Sequence, residues 1–245
     1  MKLARLEQGP EIFFSLQGEG KNQGTPSVFV RTSRCNLYCF WCDTPYTWNW
    51  QGSGFAHAAG REYERERETI ELEVNQVAAS VRRFDCRRVV LTGGEPLLQA
   101  VECAALGGAL RALDSRYQIE IETNGTLTPP PELDAVVDQY TVSPKLEHSR
   151  VDRALRLRPA VLQSFARNPK SVFKFVVGDA ADTQAVRELA KAHGIDADRI
   201  YLMPIGTTPA ELGARRQAIA EACLQHGYRF SDRLHIHLYG NRPGV

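Results

Sequence analysis

Short strand-like runs alternate with amphipathic helical segments along most of the chain, and this alternation limits the architectures open to it. The runs are SVFVRT (27–32), RVVLTGGE (88–95), YQIEIETNG (117–125), YTVSPK (140–145), SVFKFVVG (171–178) and RIYLMPIG (199–206). A seventh, RLHIHLYG (233–240), reads as a last strand. Helical patterns lie between them. TIELEVNQVAASVRRF (69–84) spaces Leu72, Val74, Val77 and Val81 near a helical period, and ADTQAVRELAKAHG (181–194) puts Val186, Leu189 and Ala190 on one face before Gly194. In TPAELGARRQAIAEACLQHG (208–227), Thr208 and Glu211 form a capping box, Pro209 fits the first helical position and Gly227 the end. Such alternation predicts parallel βα units: a partial, incomplete TIM-like barrel of about six parallel strands with crossover helices, or an open doubly wound sheet. Either architecture gathers ligands at the carboxyl ends of its strands. Arg31, Thr92–Glu95, Glu122–Asn124 and Ser143–Lys145 all follow apolar runs and belong there.

The 245 residues are expected to form a single domain with an insertion at about 46–68. That insertion is aromatic and glycine-rich at first and ends in REYERERE (61–68), read as a solvated helix start rather than a binding element. Thirty basic against 29 acidic residues leave a net charge of +1, so no charge excess points to nucleic acid. No run is long and apolar enough for a membrane span, and Met1–Leu6 lacks the apolar run of a signal peptide, so a cytoplasmic protein is expected. A reducing compartment makes a disulfide framework an unlikely use of six cysteines.

Three of those cysteines, Cys35, Cys39 and Cys42, fall within eight residues in RCNLYCFWCDT. A disulfide needs two thiols, and a closed tetrahedral zinc site needs four ligands. An iron–sulfur cube held by three thiolates keeps one iron open for a small molecule. Zinc with His57 as fourth ligand, or a set of merely structural thiols, remains open on spacing alone.

The Cys-x3-Cys-x-Trp-Cys pattern resembles the signature of radical S-adenosylmethionine (SAM) enzymes. The resemblance implies a [4Fe-4S] cluster on Cys35, Cys39 and Cys42 whose open iron chelates SAM, and cleavage of that sulfonium to a 5′-deoxyadenosyl radical. It places Trp41, Asp43, Gly93, Gly94, Glu95, Ser143, Pro144 and Lys145 on SAM. SLQGEG (15–20), Arg31, CDT (42–44), TGGEP (92–96), SPK (143–145) and a late Leu-His (234–235) occur in one order over nearly the whole chain. That order resembles the 7-carboxy-7-deazaguanine synthases. The likeness implies a lyase that converts 6-carboxy-5,6,7,8-tetrahydropterin to 7-carboxy-7-deazaguanine with loss of ammonia, in queuosine-type biosynthesis. It also implies Leu16, Gln17, Gly18, Glu19, Arg31, Thr92 and His235 as substrate contacts and Mg2+ on Thr44. An external electron donor of the flavodoxin kind and a homodimer follow from the same likeness. A glycyl-radical activating enzyme would share the cysteines and Gly-Gly-Glu, but not SLQGEG or Thr44. His235 and His237, two apart on the expected strand, would share a face.

Overall fold

The computed structural model describes residues 1–245. Its eleven strands are β1 (Lys2–Leu6), β2 (Gly9–Pro10), β3 (Ile12–Leu16), β4 (Pro26–Thr32), β5 (Thr69–Glu71), β6 (Arg88–Gly93), β7 (Gln118–Thr123), β8 (Gln139–Val142), β9 (Ser171–Val177), β10 (Ile200–Pro204) and β11 (Arg229–Phe230). They form one sheet in the order β11-β10-β9-β8-β7-β6-β4-β1-β2, with β3 beside β4 and β5 beside β1. From β4 through β11 every neighbouring pair is parallel. The sheet does not close, so the expected partial barrel is the observed fold. The N-terminal strands are antiparallel additions at one side.

Each parallel strand divides its residues between two environments. Val28 and Val30, Leu91, Ile119 and Ile121, Phe173 and Phe175 alternate onto the face covered by helices and are buried in the main core. The residues between them, Phe29 and Arg31, Thr92, Glu122, Lys174 and Val176, line a cavity instead. A parallel sheet packed on both faces reads as an unbroken apolar run. Here the polar alternates mark the face that surrounds a ligand space.

The helix Ala180–His193 takes Asp179 as its cap, whose carboxylate accepts from the Asp182 N–H at 3.0 Å, and ends on Gly194 in the left-handed region. The capping box of Thr208 and Glu211 forms as expected at the start of Pro209–His226. Two expectations need correction. Residues 69–71 are strand β5, paired with β1, and the helix begins only at Val74. The run RLHIHLYG is not a strand: Leu234–Tyr239 is a short helix that buries Ile236, and the sheet ends instead on β11. Two-residue alternation over so short a stretch fits either element, and β10 already has its neighbour in β11. His235 and His237 therefore do not share a strand face. His235 lies 4.0 Å from Glu19, whereas His237 meets Arg216 at 2.7 Å and Asp232 at 3.3 Å.

Candidate active site

A cavity of about 760 Å³ opens at the carboxyl ends of the parallel strands, a volume usual for small-molecule sites. Cys35, Cys39 and Cys42 line one wall. The loop that carries them leaves β4 through Arg34, which is left-handed at φ 80°. It is held by Arg34 N–H to the Thr47 carbonyl (2.8 Å), Phe40 N–H to the Ser149 carbonyl (2.9 Å) and Cys42 N–H to the Cys39 carbonyl (3.1 Å). The two glycines after β6 pass directly over its root. A Cβ on Gly94 would run into the Arg34 carbonyl, and one on Gly93, at φ +124°, into the Thr32 carbonyl. The Gly-Gly segment and the cysteine loop are thus one packed unit, and their joint occurrence in the sequence has a steric cause.

Burial pushes all three thiols up, Cys39 to about 12 even though the Lys145 ammonium pulls against it. Buried thiols of this kind become thiolates when a metal takes them. His57 does not join them as a ligand. Its Nε2 lies 2.8 Å from the Cys42 carbonyl oxygen and its Nδ1 accepts from the Ala59 N–H at 3.1 Å, so both ring nitrogens are occupied. Three soft donors on one loop, with His57 already engaged, fit an iron–sulfur cluster with an open iron better than a closed zinc site.

Trp41 also faces the cavity and stacks on His148 with centroids 5.3 Å apart. Lys145 Nζ sits 5.7 Å over the Trp41 ring and donates to the Ser143 hydroxyl at 3.0 Å. Glu95 is turned away from the cavity. It is fully buried and accepts from the Thr123 hydroxyl (2.8 Å) and the N–H groups of Asn124 (2.7 Å) and Leu97 (3.0 Å). Burial nevertheless raises its carboxyl above the usual range. Its part is to tie the end of β6 to the end of β7. Pro144 likewise lies outside the lining between Ser143 and Lys145, which are on it.

A second part of the lining is made of charge. Glu19 pairs with Lys174 and with Arg233 Nε (3.0 Å), and Arg233 also pairs with Asp43. Burial alone would raise the Glu19 carboxyl. Lys174 and Arg233 outweigh it and hold Glu19 far below the usual carboxylate range. Glu122 accepts from the Thr92 hydroxyl (2.7 Å) and Gln17 Nε2 (3.2 Å). The Glu19 N–H in turn donates to Gln17 Oε1 at 3.2 Å. Gly18 packs so closely on His235 that a Cβ would strike the imidazole, and its carbonyl accepts from the Leu234 N–H at 2.9 Å. Burial holds the His235 imidazole below its ordinary value. Arg31 gives Nε to Glu11 (2.7 Å), which also accepts from the Tyr46 hydroxyl (2.9 Å). Its two terminal amino groups have no protein partner. Leu16 lines the same wall.

Residues 29–212 match the radical SAM superfamily. Curated 7-carboxy-7-deazaguanine synthases from Pyrobaculum aerophilum and Halobacterium salinarum are each 39% identical to this chain. The first aligns over 96% of this chain and 95% of its own length, the second over 95% and 90%. The chain belongs to the 7-carboxy-7-deazaguanine synthase family. The crystal structure of QueE from Escherichia coli agrees, with a TM-score of 0.66, 28% identity and 92% of each chain covered. A radical SAM enzyme carries a [4Fe-4S] cluster and SAM, and the cysteine wall suits that family's cofactors.

All the expected residues except Glu95 and Pro144 converge on this one cavity. The sequence reading missed Lys174, Arg233 and Glu11 and gave no role to Glu122. A lysine in the middle of the otherwise apolar SVFKFVV is a legible signal, because a strand buried along its length keeps a charge only where a partner waits. The inserted segment, whose aromatic part had no assigned role, also reaches the site. Trp48, His57, Ala58, Ala59 and Tyr63 line the cavity, and only Arg65–Glu68 is an exposed helical turn.

Proposed function

We infer that this chain is the lyase that converts 6-carboxy-5,6,7,8-tetrahydropterin to 7-carboxy-7-deazaguanine with release of ammonia. The observation that carries the reading is the pairing of walls: three thiols face a preorganised set of carboxylates, amide and arginine across one cavity. When bound, the cluster and SAM supply a radical that removes a hydrogen atom from the substrate.

The chain's own residues do the rest. Arg31, steadied by Glu11 and Tyr46, offers its terminal amino groups as a fork for the substrate carboxylate. Gln17, Glu19 and Glu122 present acceptors and an amide to the donor-rich edge of the pterin. His235, kept neutral by burial, can take up a proton beside Glu19 as the ring contracts. We assign the Gly93-Gly94 backbone, Ser143 and Lys145 to SAM, with Lys145 as the cation for its carboxylate. Thr44 lies on the cavity with its hydroxyl 3.6 Å from the Cys42 sulfur, and we assign Mg2+ to it as a hard-oxygen ligand.

The electron comes from an outside donor of the flavodoxin class, and the enzyme acts as a cytoplasmic, single-domain homodimer. No helix is long and apolar enough to cross a membrane. Val101 and Leu224, 76% and 86% exposed, are places to begin mapping the dimer interface. Anaerobic incubation with SAM, dithionite and the carboxy-tetrahydropterin should yield the deazaguanine acid by mass spectrometry. Product from a glycyl-radical protein, with none from the pterin, would replace this reading.

A further inference from the structure

The segment between the third cysteine and Glu64 adds no strand to the barrel, yet it returns to the cysteine loop repeatedly. Phe55 stacks on Tyr38, with centroids 4.2 Å apart and planes 4° from parallel. The Ala58 N–H donates to the Phe40 carbonyl at 2.8 Å. Trp48 meets Phe55 at 6.4 Å and His57 edge-on at 6.2 Å. Tyr38 and Phe40 flank Cys39, so the segment clasps the loop from outside.

The closest engagement is through His57. A peptide N–H only donates and a carbonyl only accepts. With Ala59 N–H on Nδ1 and the Cys42 carbonyl on Nε2, the ring must carry its proton on Nε2. That N–H restrains the Cys42 peptide itself.

We propose that His57 is a positioning residue for the iron–sulfur cluster: it pins the Cys42 peptide, and with Phe55 and Trp48 it braces the cysteine loop. It acts through Cys42 and on no substrate atom. Outer contacts of this kind set how firmly a metal centre is held, and hydrogen bonds and exposure set how it behaves. The proposal rests on the radical SAM assignment alone, so failure of the pterin reading leaves it standing.

The test uses the full chain, reconstituted anaerobically without SAM or pterin, as wild type, His57→Ala, His57→Gln and Phe55→Ala. It reads iron per chain, iron loss to a chelator and the half-life of the charge-transfer absorbance in air. His57→Ala should lose iron about tenfold faster and bleach faster. His57→Gln should recover much of the loss, because its amide donates and accepts at the same two places. Phe55→Ala should bind a normal amount of iron but bleach faster in air. Wild-type retention and bleaching in His57→Ala would overturn the proposal. Should His57→Ala fail to fold, Phe55→Ala decides in its place: faster bleaching supports the clasp, and wild-type bleaching refutes it.

Discussion

One part of the cavity lining carries three thiols, with Lys145 pulling against burial on Cys39; in another, Glu19 lies between Lys174 and Arg233, and Glu122 between Thr92 and Gln17. The first wall is electrostatically unfinished, because its sulfurs stay protonated until a metal claims them. The second is finished within the chain: each carboxylate already has its cation or donor. On the function proposed above, the cofactor completes the first set and the second receives the substrate. Preorganised charge of this kind needs no rearrangement when the substrate arrives.

The contrast can be broken most completely at the thiols. Cys39→Ala should abolish product and the iron-dependent absorbance while leaving the apo-protein's thermal unfolding almost unchanged, since that wall contributes little until it is loaded. The charged wall should behave in the opposite way. Lys174→Met leaves Glu19 with Arg233 as its remaining cation, and the loss of stability should be about 1.5–3 kcal/mol by denaturant unfolding, with iron uptake retained.

The same pair predicts a pH effect. The folded Glu19 carboxyl is held far below its unfolded value of about 4.3, so its contribution is complete above that pH and is lost as pH falls beneath it. Stability of the wild type should therefore drop on acidification below about pH 4.3, and Lys174→Met should flatten that part of the curve.

Glu11→Gln is a finer probe. Arg31 would lose its charged brace but keep its own guanidinium, so KM for the pterin should rise about tenfold with a smaller change in kcat. Asp179→Ala, outside the cavity lining, should cost about 1 kcal/mol of stability through the lost helix cap and leave turnover intact. Equal effects of Asp179→Ala and Glu11→Gln on KM would show that the second wall is not the substrate's.

Much of this arrangement was legible in the sequence. The six core strands, the caps at Thr208 and Gly194 and the convergence of the cysteines with Gly93-Gly94 follow from local pattern and turn chemistry. What escaped depends on distant partners. The helix at 234–239 was read as a strand because six alternating residues carry no length signal. The antiparallel strands β1–β3 have ordinary β-rich sequences whose pairing is settled by distant partners, β1 and β3 on β4 and β2 on β1. Arg233 and Lys174 became site residues only when the fold brought Glu19 between them. Of the inserted segment only the charge run has a legible reading; its aromatic part packs on the cysteine loop through distant contacts, Phe55 on Tyr38 and His57 on Cys42.

The account depends on the two walls serving one reaction. The direct measurement is product analysis after anaerobic incubation of the reconstituted enzyme with SAM, a reductant, Mg2+ and 6-carboxy-5,6,7,8-tetrahydropterin. The predicted result is 7-carboxy-7-deazaguanine with matching release of ammonia, absent in Cys39→Ala. Formation of 5′-deoxyadenosine alone, with the pterin recovered intact, would contradict it.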